Sequence, residues 1–158
     1  MPIAGTTTNY TGRSVDLYIA GSLNPESAAK QVVTPGFGTM SKFCAGIEKL
    51  IQRFMITFLT AKGSQPNFPD FGSDFSNYVR VGRNITPDKL AHRINFALAD
   101  TILQLRVTQA ESTTIPLDEQ LRDARMVELL VSGDTVKVKI QIYSNAGDSI
   151  QFLMPLPV

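Results

Sequence analysis

The chain has 158 residues, a size that suits one domain able to bury a core without disulfides. Its 15 Lys and Arg residues nearly balance 14 Asp and Glu residues, and a net charge of +1 argues against a general nucleic-acid binder, which carries a basic excess. The single cysteine, Cys44, cannot form an internal disulfide, so the chain fits a reducing compartment. Neither a signal peptide nor a membrane-spanning run is recognisable, so we expect a soluble protein made in the cytoplasm.

The first part of the chain, residues 1–39, is predicted to be an N-terminal arm with short strands. Residues Met1 to Gly12 are rich in Thr, Gly and Asn, and we expect them to order only against a neighbouring molecule. The alternation from Val15 to Ala20 predicts a half-buried strand, and residues 31–34 predict a second one. Residues 21–30, which contain Gly, Asn-Pro and Ser, are predicted to be the loop between them.

The remaining residues, 40–158, are predicted to form one α+β domain that begins with a long helix over residues 40–63. Thr39 or Ser41 is a suitable cap for its start, and Gly63 can adopt the left-handed turn that ends a helix. Cys44 is predicted to be a small buried residue of this helix rather than a reactive thiol. A wide apolar stripe at helical spacing requires burial, and it comprises Phe43, Ile47, Leu50, Ile51, Phe54, Phe58 and Leu59.

The next stretch, residues 64–75, is predicted to be irregular because it contains two prolines and a glycine. It nevertheless carries Phe68, Phe71 and Phe75, and each buried phenylalanine removes on the order of 150 Å² from water. We therefore expect this aromatic loop to be pinned onto the domain or inserted into a partner. Ser73 is a candidate cap for a short helix from Asp74 to Tyr78.

A second amphipathic helix is predicted from Thr86-Pro87-Asp88 to about residue 109, since this tripeptide is a favourable helix start. Its apolar face repeats every three or four residues, and Phe96 and Leu103 are expected to widen it. His92 is the only histidine of the chain and has no ligand-type neighbours at suitable spacing, so we expect a solvated side chain. The repeating apolar residues are Leu90, Ile94, Leu98, Ile102 and Leu105.

The C-terminal third predicts a helical turn at residues 117–124 and then a three-stranded meander over residues 126–131, 136–142 and 150–154, which Pro155 and Pro157 end. The middle strand alternates most regularly, with Val136, Val138, Ile140 and Ile142 facing inward. The predicted fold is α+β, with two long amphipathic helices packed on one face of this small antiparallel sheet, which the N-terminal strands can extend. Such a meander has two open edges, and open edges accept strands from other chains.

Asp70 and Asp74 are the candidate catalytic residues, because they lie four residues apart beside Phe71. A glycoside hydrolase needs two carboxyl groups at a set separation, one of them kept protonated by an apolar pocket. Two aspartates in a loop rich in Pro and Gly meet this description often by chance. No nucleophile elbow, paired-histidine motif or phosphate loop is present, so we expect no enzyme, no metal and no cofactor. A peptidoglycan-degrading, lysozyme-like enzyme is kept as the alternative.

The order of these features resembles the small baseplate wedge protein of contractile-tailed phages, a family shared with a baseplate component of type VI secretion systems. Two of its motifs are matched by the helix end Thr60-Ala61-Lys62-Gly63 and the turn Phe71-Gly72-Ser73. The family also carries a Glu-Pro-Arg signature just before the first meander strand. Here the corresponding residues are Asp123-Ala124-Arg125, so the acid and the arginine are kept in type and the proline is absent.

The resemblance, which covers residue 43 to the C-terminus, implies a structural role in the virion, in a tail baseplate assembled in the host cytoplasm. Such a protein clamps larger wedge proteins and offers a sheet edge from which the contractile sheath polymerises. Its implied partners are those wedge proteins, the tail sheath protein and, as further candidates, tube or hub proteins, with no nucleic acid or membrane. The implied partner-binding residues are Asp123, Arg125, Phe71, Gly72 and Ser73. A tail-completion or head–tail connector protein is a second structural alternative.

Overall fold

The computed structural model describes residues 16–17, 20–22, 32–35, 43–81, 86–132 and 135–157. Its α+β class confirms the predicted class. The helices are α1 (Ile47–Leu59), α2 (Phe75–Val81) and α3 (Pro87–Ala110), and a 3-10 turn (Leu117–Glu119) precedes the last three strands. The strands are β1 (Asp16–Leu17), β2 (Ala20–Ser22), β3 (Val32–Pro35), β4 (Phe43–Cys44), β5 (Leu121–Ser132), β6 (Thr135–Ser144) and β7 (Ser149–Pro157).

The main sheet has five strands in the order β2-β3-β7-β6-β5, and β1 and β4 form a separate antiparallel pair. The meander β5-β6-β7 is antiparallel, as predicted, whereas β3 runs parallel to β7. The N-terminal strands therefore extend the meander, and β3 covers one of the two edges that we expected to be open. The other edge of the meander is β5, and no further strand pairs with it in the described part of the chain.

The core is one apolar cluster that contains residues of the helices and of the three meander strands. The four inward-facing residues predicted for β6 are all buried, and they belong to one apolar cluster with residues of α1 and α3. The cluster also contains most of the stripe predicted for the first helix. Its largest fully buried members from the helices are Leu50, Ile51, Phe54, Phe58, Phe75, Leu90 and Ile94.

The first helix is shorter than predicted, because Phe43 and Cys44 form β4 and pair with Leu17 and Asp16. This pairing is a long-range interaction that no local pattern reveals. The N-cap is Gly46, at a positive φ of 63°, and no side chain caps the helix. The predicted caps Thr39 and Ser41 lie outside the described residues. Cys44 is thus a strand residue rather than a helix residue, although it is fully buried as predicted.

The N-terminal strands also differ in detail from the prediction. Residues 16–17 and residue 20 belong to strands of two different sheets, so the stretch from Val15 to Ala20 is not one strand. The described strand β2 reaches Ser22, inside the predicted loop. The second predicted strand is confirmed as β3, one residue later than expected. Residues 1–15, 18–19 and 23–31 lie outside the described residues, and the arm at residues 1–39 stays a prediction as a separate unit.

The second long helix is confirmed as α3, with Thr86 at its N-cap but without a side-chain capping hydrogen bond. The prediction that Phe96 and Leu103 widen its buried face is wrong, since their side chains are 71% and 62% exposed. At about 100° per residue, both lie on the side of the helix opposite to Leu90 and Ile94. His92 is exposed, as predicted.

The meander strands are longer than predicted. Strand β5 has 12 residues and begins at Leu121, so the predicted helical turn is restricted to the 3-10 turn Leu117–Glu119. Pro155 and Pro157 lie inside β7 rather than ending it. A sheet tolerates proline where the missing N–H faces no partner. Pairing of β7 with β3 stops at Phe152, so the proline-containing end of β7 pairs with β6 alone among the described strands.

Candidate partner-binding surfaces

The turn Phe71-Gly72-Ser73 ties the end of α1 to α2 and α3. The backbone N–H of Gly72 donates to Gln104 Oε1 (3.1 Å), and Gln104 Nε2 donates to the Gly72 carbonyl (2.7 Å). Ser73 N donates to the Thr60 carbonyl at 2.8 Å. The Ser73 hydroxyl donates to the Phe58 carbonyl (2.6 Å) and accepts from the first N–H of α2 (3.2 Å), which confirms Ser73 as the predicted cap.

Glycine is the residue type that fits position 72 of this turn. Its φ is 102°, and a Cβ atom built there would lie 2.4 Å from the Thr60 carbonyl oxygen. Both Gly72 and Ser73 are buried, and their polar groups are used within the chain. The structure thus assigns them an internal role, whereas their contact with a partner stays a prediction.

The three phenylalanines of the aromatic loop have different environments. Phe75 is buried at the start of α2, with its ring centroid 4.3 Å from that of Phe58. Phe71 is half-buried, and Phe68 is 66% exposed. The loop is therefore pinned to the domain through Phe75, while Phe68 remains available at the surface.

A groove of about 840 Å³ lies between α1, α3 and residues 112–119. Asp70 lines it, whereas Asp74 accepts a hydrogen bond from Asn77 Nδ2 (3.3 Å) and is not part of its lining. The two candidate catalytic aspartates are therefore not brought together in this groove. Its apolar lining consists of Ile56, Phe71, Leu103, Leu105, Val107, Ile115 and Pro116.

Glu119, which also lines the groove, is a buried residue that sequence reasoning missed. Its Oε2 atom lies 3.3 Å from Lys49 Nζ, and its Oε1 atom accepts from the N–H of Gly46 at 3.3 Å. A general acid must offer a proton to substrate, and both oxygens of this carboxylate already contact donors of the chain. Nothing in the sequence signals this pair, since Lys49 and Glu119 are far apart along the chain.

Asp123 and Arg125 form an ion pair on the solvent-facing side of the meander. Arg125 Nε donates to Asp123 Oδ2 at 2.7 Å, and Ala124 between them is buried. This hydrogen bond and the charge of Asp123 raise the pKa of Arg125. Both residues lie within β5, not before the first strand as we expected, because β5 begins at Leu121. The structure thus brings the two residues together and exposes the arginine.

Two irregularities of register interrupt β5 and leave Arg122 and Val127 without partners in β6. The Arg122 guanidinium lies over the Tyr143 ring, 5.4 Å from its centroid, and the Arg122 carbonyl accepts from Arg106. The hollow beside them is lined by Arg106, Arg122, Asp123, Arg125 and Tyr143. Three arginines around one aspartate make this patch positive, although the whole chain is nearly neutral.

The outer edge of β5 carries exposed apolar side chains and has no further strand beside it among the described residues. Within the described residues, β6 is the only strand that pairs with β5. Beyond the second irregularity, the pairing with β6 is regular from Glu128 to Ser132. Val127, at this irregularity, is 54% exposed, and Leu130 and Val131, in the regular part, are 50% and 47% exposed. Soluble proteins ordinarily protect such an edge with charged residues or cover it with another segment.

The described parts of the chain hold no group of three or more His, Cys, Asp or Glu residues placed to bind a metal ion. None of their helices combines the length and the hydrophobicity needed to cross a membrane.

Comparison with known proteins adds no family assignment, since neither a protein-family model nor a curated protein sequence matches this chain.

Proposed function

We propose that the protein is a structural component of a phage tail baseplate wedge. In this role it clamps larger wedge proteins and offers the free edge of β5 to the contractile sheath. The proposal rests on the sequence resemblance together with one structural observation: among the described residues β5 is an edge strand that pairs only with β6, and Val127, Leu130 and Val131 are exposed on it.

Strand addition explains why such an edge is kept. An extended segment of a neighbouring subunit gains main-chain hydrogen bonds along the edge and packs its side chains on both faces. The regular stretch from Glu128 to Ser132 offers five residues for such pairing. The sheet has two outer strands, β2 and β5, and within the described structure β5 is the longer of them, with 12 residues against three.

The positive patch at the start of β5 is a suitable contact for wedge proteins. Arginine side chains donate several hydrogen bonds in a fixed geometry, which suits carboxylates and helix C-terminal carbonyls of a partner. Asp123 holds Arg125 in place through the 2.7 Å contact while the guanidinium stays exposed. We also infer that α1 and α3 both lie across the inner face of the meander, which leaves this outer face to partners.

Locating the protein in assembled particles by cryo-electron microscopy tests the proposal. Density for the chain in the baseplate, with a sheath strand along β5, is the expected result. Density at the head–tail junction would instead establish the connector alternative. The absence of the chain from particles would overturn both structural assignments.

The enzymatic alternative is tested with a variant carrying both Asp70→Asn and Asp74→Asn. We expect this variant to enter particles as the unchanged protein does, because neither carboxylate supports the β5 edge. Cell-wall clearing by the purified protein that the variant loses would contradict the proposal.

A further inference from the structure

We infer that the outward face of α3 is a self-association surface, on which a second copy of this chain packs its own α3 in antiparallel orientation. The face carries an apolar stripe on the side opposite to the buried residues of the same helix. All members of the stripe are exposed, and the three largest are 71%, 62% and 53% exposed. The stripe comprises Phe96, Ala99, Leu103, Val107 and Ala110.

The spacing of the stripe is that of a helix–helix seam. Successive members are three, four, four and three residues apart, so they remain on one side over about 21 Å of helix. An isolated exposed leucine would need no explanation, but a continuous apolar stripe on a long surface helix marks an interaction site. We therefore expect α3 to be covered on one side by its own domain and on the other side by another molecule.

The symmetry of the spacing selects a second copy as the occupant. The pattern reads the same in both directions from Leu103, so an antiparallel partner with a two-fold axis at Leu103 meets it position by position. Phe96 then lies against Ala110 of the second copy, and Val107 lies against Ala99. Each large side chain thus meets a small one, which is how facing helices fill space without a clash.

Charges beside the stripe fit the same arrangement. Arg93 and Glu111 are both exposed, and they are 18 residues apart, which is five helical turns, so they lie on the same flank of α3. The Arg93 guanidinium lies over the Tyr78 ring of its own chain, 5.8 Å from the centroid, so it has to turn from this ring to reach Glu111 of a second copy. In an antiparallel pair the same flanks face each other, which brings Arg93 of one copy towards Glu111 of the other at both ends of the seam. Asp100 and Arg106 do not interfere, because Asp100 contacts Lys62 (3.4 Å) and Arg106 donates to the Arg122 carbonyl.

This surface is distinct from the β5 edge of the proposed function. Leu103 and Val107 also line the groove between α1 and α3, so a second copy would cover one wall of that groove as well. The two surfaces can therefore be altered separately, and the failure of one assignment leaves the other in place.

Cross-linking at the two-fold axis tests the inference most sharply. Oxidation of a Leu103→Cys variant is expected to give a disulfide-linked dimer, since residue 103 meets itself there. A Leu117→Cys variant is the matched control, because Leu117 is 60% exposed but lies in the 3-10 turn, outside the stripe. The native Cys44 is fully buried and does not interfere. Equal cross-linking of the two variants would contradict the inference.

Sedimentation velocity over a concentration series gives an independent measurement. The unchanged protein is expected to dimerise, and Leu103→Lys is expected to raise the dissociation constant at least about tenfold while the circular dichroism spectrum stays native. Arg93→Glu and Glu111→Arg are each expected to weaken the dimer, and their combination is expected to restore it.

Two results would overturn the inference. The first is a protein that stays monomeric up to concentrations of about 1 mM, at which even weak specific pairs associate. The second is a dimer that survives Leu103→Lys but is lost in Leu130→Lys, which would place self-association on the β5 edge or another surface instead of α3.

Discussion

Lys49 Nζ lies 3.3 Å from Glu119 Oε2, and the two side chains are only 4% and 2% exposed. The contact joins the first turn of α1 to the 3-10 turn before β5. The other oxygen of Glu119 accepts from the backbone N–H of Gly46, at the helix start where no side-chain cap is present. One buried carboxylate thus holds the start of α1 in place from a distant part of the chain.

Lys49→Met is expected to destabilise the fold strongly, because it leaves the Glu119 carboxylate buried without its ammonium partner. Removing one member of a buried pair typically costs about 3–5 kcal/mol. The double variant Lys49→Met with Glu119→Gln should recover part of this loss, since the amide oxygen of Gln can still accept from Gly46. Urea denaturation measures both, and equal instability of the single and double variants would contradict the pairing.

Gly72→Ala is expected to cost more stability than the same change at Gly147. Both glycines have a positive φ, which disfavours any other residue by roughly 1–2 kcal/mol. Only at residue 72 does the added Cβ also approach the Thr60 carbonyl oxygen, to 2.4 Å, whereas nothing lies within 4 Å at residue 147. Thermal and urea unfolding of the two variants measure the difference. Equal losses would mean that the close approach to Thr60 is relieved without cost.

Cys44 is expected to make the fold less stable at high pH. Burial, with a smaller contribution from Asp16, raises the pKa of its thiol from 9.0 to about 11. Between these values the unfolded chain releases the thiol proton and the folded chain retains it, so stability present below pH 9 falls as the pH rises towards 11. Urea titrations from pH 8 to 11 measure this loss.

The matched control for that experiment is Cys44→Ser, in which other groups titrate unchanged but the thiol is absent. The decline between pH 9 and 11 should be shallower in this variant. The native thiol should also resist disulfide reagents at pH 8 and react on unfolding. Rapid labelling of the folded protein, or identical pH profiles for both proteins, would contradict the assignment.

The sequence was sufficient for those elements whose apolar pattern is local. Helix α3 and the middle strand β6 follow directly from periodicity, and the inward residues of β6 are buried as predicted. The predicted start of α1 is wrong because β4 pairs with β1. This pairing depends on residues that are far apart along the chain.

The exposed side of α3 illustrates a second limit. The sequence predicts that Phe96 and Leu103 widen the apolar face of α3, because the apolar residues of a surface helix normally share one face towards the core. A helix with apolar residues on both sides does not show in its sequence which side faces its own domain. The buried Lys49–Glu119 pair cannot be predicted from the sequence either, because each residue alone has the pattern of a solvated charge. The Asp123–Arg125 pair could be found, because the two residues lie two apart on one face of a strand.

The most direct test of the assembly role is a variant in which Val127, Leu130 and Val131 are all replaced by Lys. Charges along an edge strand prevent the addition of another strand, while exposed positions tolerate them without loss of the fold. Electron microscopy of particles assembled with this variant measures the fraction of baseplates that carry a sheath, with Leu117→Lys as the control. Baseplates that contain the variant but lack sheath are the expected result, and normal sheaths on baseplates containing it would contradict the assembly role of the β5 edge.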